Sequence, residues 1–265
     1  MNAASVLCRL RWRTMASRPS CIGIAMLAPA FLGGCIEVRI PDPAVRYIAF
    51  GDSSTSGPSD RDYPDILRER LGEAPETFTN QGEGGETTEE GRQRLAKLLS
   101  AELFPNAQVL LYWEAAGDLT EFIKDHDRFL LLAPGAADYP FTSALASRLD
   151  ETQANIESAI DTARASGLTV YVATYFFLNE TLSQCPAMPL NVILPAQAQN
   201  ANAYLVRLNE RIRDAAASAG ATLVDIASLD SLLRSDSANY FNCNHLSARG
   251  NEIVADLFFE VMVDP

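Results

Sequence analysis

Tyr47-Ile48-Ala49-Phe50-Gly51-Asp52-Ser53-Ser54-Thr55-Ser56-Gly57 sets a short apolar run directly against a polar turn. Tyr47 to Phe50 reads as a buried strand that stops at Gly51. Gly57 and Pro58 close the polar turn. Apolar residues resume at Tyr63, Ile66, Leu67 and Leu71, which is helical spacing. Ser53 therefore stands where a core strand ends and a helix approaches. α/β enzymes bind ligands and place reacting groups at that edge of the sheet. Gly-Asp-Ser alone is also what an ordinary turn contains, because turns are rich in these residues.

The same alternation continues along the chain. Strands are expected at Thr77–Thr79, Gln108–Trp113, Leu168–Phe177 and Thr222–Ile226. Helices are expected at Tyr63–Leu71, Thr87–Leu99, Phe141–Ser166 and Ala198–Ala219, with a last one starting near Ser247. Phe122 to Pro140 reads as a long connection, with Asp125-His126-Asp127 as a solvated loop. Strand–helix alternation means a parallel sheet with right-handed crossovers. The expected fold is a three-layer α/β/α, flavodoxin-like sandwich around a central parallel five-stranded sheet.

Gly51-Asp52-Ser53-x-Thr55-x-Gly57 behind an apolar strand resembles block I of the SGNH, or GDSL-type, hydrolases. Asn80-x-x-x-x-Gly85-x-Thr87, behind the second strand, resembles block II. The resemblance implies that the Gly85 N–H serves the oxyanion hole, with Gly82 as the second candidate. Glycine suits this task because the backbone must approach a ligand closely. Glu114-Ala115-Ala116-Gly117-Asp118-Leu119 aligns with block III, Gly-x-Asn-Asp, but Ala115 replaces the Gly and Gly117 the Asn amide. Asp118 is retained. Asn242-x-x-His245 resembles block V, Asp-x-x-His, with Asn242 in place of the orienting Asp. The implied chemistry is ester hydrolysis with Ser53 as nucleophile and His245 as base, and with Asp52, Gly85, Asp118 and Asn242 in oxyanion or structural roles. Asn242 would leave a Ser–His dyad. Asn244 is a candidate donor in place of the missing amide, and Gly117→Asn is expected to restore one. The alternative is a binding or scaffold protein that keeps the fold with weak or lost catalysis. Acetyl-sugar, lysophospholipid and thioester substrates all remain open.

The 265-residue chain has 21 basic and 34 acidic residues, a formal −13. That excess of acid disfavours nucleic acid as a partner. Outside the N-terminus there is no apolar run of about 18 residues, which disfavours a polytopic membrane protein. Arg9, Arg11, Arg13 and Arg18 precede an apolar segment, Cys21 to Leu32, that ends in Leu32-Gly33-Gly34-Cys35. This is the pattern of a bacterial secretion signal. The residues alone allow a cleaved signal or an uncleaved anchor, whereas Leu-Gly-Gly-Cys resembles a lipobox. That resemblance implies lipidation at Cys35 and, with Ile36 next, sorting to the outer membrane. The expected layout is a signal over 1–34, a tether over 35–44 and the hydrolase domain over 45–265. Without the four leader arginines, 17 basic residues face 34 acidic ones.

Of five cysteines, Cys8 and Cys21 leave with the leader and Cys35 takes the lipid. Cys185 and Cys243 remain, a candidate disulfide in an exported domain. Neither has metal-ligand spacing with His126 or His245, so no metal and no cofactor are expected. The sequence says nothing about oligomeric state.

Overall fold

The computed structural model describes residues 40–181 and 193–264. The expected leader, Cys35 and Cys185 lie outside the described residues. The first strand, β1 (Tyr47–Gly51), leads into a single turn of helix, α1 (Ser53–Ser56), and then α2 (Tyr63–Arg70). β2 (Phe78–Gly82), α3 (Thr88–Ser100), β3 (Val109–Trp113) and α4 (Ala116–His126) come after it. Next are α5 (Thr142–Ala165), β4 (Thr169–Ala173), α6 (Pro195–Ala219), β5 (Thr222–Val224) and α7 (Asp230–Arg234). A small hairpin, β6 (Tyr240–Asn242) and β7 (His245–Leu246), precedes the last helix, α8 (Ala248–Val263).

The main sheet has five strands in the order β2-β1-β3-β4-β5, every pair parallel. Helix α2 packs on α8, while α3, α4 and α6 all pack on α5. With right-handed crossovers these two groups cover opposite faces of the sheet. The expected three-layer fold is therefore the observed one. Central strands covered on both faces must be apolar throughout, and Leu110, Leu111, Tyr112 and Trp113 are all buried. Phe50 stacks on Tyr112 at 6.0 Å between centroids. Each such fully buried side chain contributes about 1.5–3 kcal/mol.

Three departures from the sequence reading matter for the site. The connection after β3 starts at Asp127 instead of Phe122, because α4 occupies 116–126 and buries Leu119 and Phe122. Those residues, with Ile123, form a helical stripe that the acids around them obscure. Asp127 is buried, not solvated, and its carboxylate accepts the Leu131 and Leu132 N–H groups. Finally, β4 ends at Ala173 instead of Phe177. The Asn209 side-chain amide takes over there: its oxygen accepts the Tyr175 N–H at 2.7 Å and its NH2 donates to the Tyr175 carbonyl at 2.8 Å. A buried side chain thus completes the backbone bonding of Tyr175 after the sheet has ended.

Candidate active site

β1 and β3 deliver their carboxyl ends side by side, and Asp52 joins them. Its N–H donates to the Trp113 carbonyl at 3.1 Å. Gly51 is required for this approach, since a Cβ there would lie 1.8 Å from the Trp113 carbonyl oxygen. The Asp52 carboxylate is buried and accepts three donors: the Ser54 N–H at 2.8 Å, the Ala116 N–H at 3.0 Å and the Tyr175 hydroxyl at 2.5 Å. One charged side chain thus ties the nucleophile turn to the start of α4 and to the end of β4. Charge-assisted bonds of this kind are about twice as strong as neutral ones.

Ser53, fixed by its neighbour, meets the hairpin. Its Oγ lies 2.9 Å from His245 Nε2. On the other side of the ring, Nδ1 lies 3.0 Å from Asn242 Oδ1. The same Oδ1 accepts the Asn244 backbone N–H at 3.1 Å. A backbone N–H must face an acceptor, which identifies this atom as the amide oxygen. Nδ1 therefore carries the ring proton, and Nε2 offers its lone pair to the Ser53 hydroxyl. Burial lowers the His245 pKa from its ordinary value, opposed in part by the negative charge of Asp52. The ring is thus neutral at physiological pH, the form that can accept a proton.

Gly85 (φ +84°) lines the same pocket as Ser53, and its N–H has no protein acceptor among the described residues. Gly82 behaves differently. Its N–H is taken by Asn80 Oδ1 at 2.9 Å, and a Cβ on it would lie 2.4 Å from the Ser56 nitrogen. Gly82 seats α1, and Gly85 is left as the amide open to a ligand.

Block III holds the main correction. Gly117 is buried in the first turn of α4, and a Cβ there would lie 2.0 Å from the Glu86 carbonyl oxygen. The expected vacancy is filled by the Glu86–Thr87 peptide, so Gly117→Asn cannot restore an amide. Asp118 touches neither Ser53 nor His245. It accepts the Thr88 N–H at 2.7 Å and the Thr88 hydroxyl at 2.9 Å, fixing the start of α3. Ala115 stands before α4 at φ 158°. Asn244 lines the pocket beside Ser53 and Gly85.

The pocket, about 280 Å³, opens from Ser53 along α4. Leu119, Ile123, Leu130, Phe176, Ile193 and Leu205 form apolar walls, with Lys124 and Arg128 also lining it. His126 lies apart, stacked on Phe122 at 4.4 Å. Cys243 is buried and disulfide-bonded, whereas Cys185, its expected partner, lies outside the described residues. Among the described residues no His, Cys, Asp and Glu cluster could hold a metal, and no helix is long and apolar enough to cross a membrane.

Residues 49–253 match the GDSL-like lipase/acylhydrolase family. The chain belongs to that family. No curated protein matches the chain, but solved structures share its fold. A lipolytic G-D-S-L family protein from Veillonella parvula is 16% identical, with a TM-score of 0.56 over 83% of this chain and all (100%) of that one. An acetyl xylan esterase is 17% identical, with a TM-score of 0.54 over 82% of this chain and 98% of its own. The psychrotrophic esterase EstA from Pseudoalteromonas sp. is 13% identical, with a TM-score of 0.51 over 82% and 96%. At these identities the likeness is one of fold.

Tyr175 and Glu114 do not stand out in the sequence as site residues. Tyr175 lies in a run, Thr174 to Phe177, that reads simply as more strand. Glu114 carries a signal: it is an acid directly after the apolar run Val109 to Trp113, and it is buried.

Proposed function

We propose that this family member is a serine ester hydrolase, exported and lipid-anchored at Cys35, that uses Ser53 as nucleophile and His245 as base. The observation that carries the reading is the continuous Ser53–His245–Asn242 hydrogen-bond chain with Nε2 unprotonated. Ser53 Oγ attacks the ester carbonyl as Nε2 takes its proton. The resulting oxyanion is met by the Ser53 and Gly85 N–H groups. Nε2 then returns the proton to the leaving alcohol, and water repeats the cycle on the acyl-enzyme. Asn242 holds the tautomer without adding negative charge, so the imidazolium is stabilised less than it would be by a carboxylate.

The apolar pocket supports an acyl chain longer than acetyl. Its volume falls just below the range of about 300–1,000 Å³ usual for small-molecule sites. An acetyl-sugar would leave those apolar walls in water. The leader and Cys35 support a place in the bacterial cell envelope, at the outer membrane, and Cys185 would pair with Cys243 there.

A panel of p-nitrophenyl acetate, butyrate, octanoate and palmitate tests this reading on wild type and Ser53→Ala. Turnover that rises past acetate and vanishes in Ser53→Ala is expected. Wild type indistinguishable from Ser53→Ala on every ester would favour the binding or scaffold reading, in which the neutral Asn242 marks lost catalysis.

A further inference from the structure

Beneath the oxyanion loop lies a cluster that the proposed mechanism does not use. Glu114 follows β3 directly and is only 1% exposed. Among the described residues neither of its carboxyl oxygens has a hydrogen-bond partner. Around it stand Asp52 at the end of β1, Glu86 in the loop, Arg94 on α3, Tyr112 on β3 and Tyr175 after β4. Gly91 on α3 leaves room for it, since a Cβ there would lie 3.0 Å from Glu114 Oε2.

Arg94, the guanidinium beside Glu114, is paired with Glu86 and with Glu83, whose carboxylate lies 3.6 Å from its Nε. Arg94 is already committed: its Nε donates to Glu86 Oε1 at 2.7 Å, its NH1 donates to the Gln81 carbonyl at 2.9 Å, and its face covers the Phe50 ring at 3.9 Å. Asp52 has its own three donors. An ionised Glu114 would be a buried charge without a partner, which proteins avoid by keeping the proton. Burial, followed by the negative charges of Asp52 and Glu86, pushes the Glu114 carboxyl well above the usual carboxylate range. Of the neighbouring carboxylates, Asp52 already has three donors, whereas Glu86 can accept the hydrogen of a protonated Glu114; two ionised carboxylates cannot bond to each other.

We infer that Glu114 is a neutral carboxylic acid that donates a hydrogen bond to Glu86 and is thereby a positioning residue for the Gly85 oxyanion loop. Glu86 follows Gly85 directly, and its carbonyl bears on Gly117. Arg94 grips the Glu86 carboxylate from one side, and the Glu114 O–H holds it from the other. The two together set where the Gly85 amide stands. Ionising Glu114 would break that bond and put two negative charges side by side under the loop. The Gly85 assignment rests on the hydrolase reading above, whereas the protonation of Glu114 does not.

The test therefore has two arms on the full-length protein. In the first, thermal unfolding of wild type and Glu114→Gln is followed from about pH 5 to about pH 9. A carboxyl whose folded pKa is raised loses stability as pH climbs above the unfolded value of about 4.3. The wild-type Tm should therefore fall relative to Glu114→Gln as pH rises. In the second arm, ester turnover is compared across Glu114→Gln, Glu114→Ala and wild type. Gln keeps a donor for Glu86, so kcat should stay within about twofold of wild type, with any alkaline loss of rate removed. Ala should lower kcat about 10–100-fold with little change in KM, the size of effect that misplaced catalytic groups produce. Parallel Tm curves, or a Gln variant as impaired as the Ala variant, would overturn the inference. If wild type shows no Ser53-dependent turnover, the hydrolase reading fails, and the first arm still decides whether Glu114 is neutral.

Discussion

Ser53 and His245 are held in opposite ways. Ser53 follows a buried carboxylate with three donors drawn from α1, α4 and the end of β4. His245 sits on a two-stranded hairpin, and its ring is held by one neutral amide three residues away. The first arrangement is long-range and charged, and the second is local and uncharged. In this site the carboxylate is placed beside the Ser53 turn instead of behind His245. In the proposed mechanism the electrostatic support of an imidazolium on His245 is therefore reduced.

Removing the base should have the largest effect. His245→Ala is expected to lower kcat about 10⁴–10⁶-fold, as loss of a proton-transfer partner does in serine hydrolases. A loss of less than about tenfold would mean that the hairpin side supplies no general base. Gly117→Asn comes next and reports on the other region. With a Cβ position 2.0 Å from the Glu86 carbonyl, the backbone must shift, at about 1–3 kcal/mol. Denaturant unfolding measures this, and unchanged stability with higher turnover would show that the close contact is wrong.

Tyr175→Phe tests the charged hub directly. It removes a hydroxyl that donates to Asp52 and lies 3.1 Å from the Ala116 N–H. A loss of about 1.5–3 kcal/mol in unfolding free energy is expected for a bond to a buried charged group. No loss would mean that Asp52 is held adequately from α1 and α4 alone.

Asn242→Asp should have the smallest effect, and it tests the contrast itself. Burial holds His245 below its ordinary pKa, so the acid limb of kcat/KM should lie below about pH 6.5 in wild type. A carboxylate behind Nδ1 favours the protonated ring, so the limb should move up in the variant while the plateau rises about tenfold or less. The gain is limited because Asn242 already fixes the correct tautomer. A limb that moves down would contradict the placement of Asn242 against Nδ1.

Much of this is legible in the residues. The alternation of apolar strands and helical stripes yields the sheet, and Asp52-Ser53 and Asn242-x-x-His245 mark the two halves of the proposed catalytic pair. Legibility fails where side chains replace backbone or where glycine admits a neighbour. Asn209 extends the bonding of Tyr175 past the end of β4, and nothing local to Thr174 to Phe177 announces it. Gly117 looks like a degraded motif, but the identity of the group that presses on it, the Glu86 carbonyl, depends on a contact across 31 positions of sequence. The helix α4 is hidden because its polar residues, Thr120, Glu121, Lys124 and Asp125, dilute a stripe of Leu119, Phe122 and Ile123.

The central claim is that Ser53 is a working nucleophile activated by His245 despite a neutral Asn242. A fluorophosphonate ester tests it most directly, because it traps the activated serine covalently and mimics the tetrahedral intermediate. Intact-mass and peptide analysis should show a single adduct on Ser53 in wild type, none in Ser53→Ala, and labelling slowed by orders of magnitude in His245→Ala. Absence of an adduct, or labelling of Ser53 at the same rate without His245, would contradict the account.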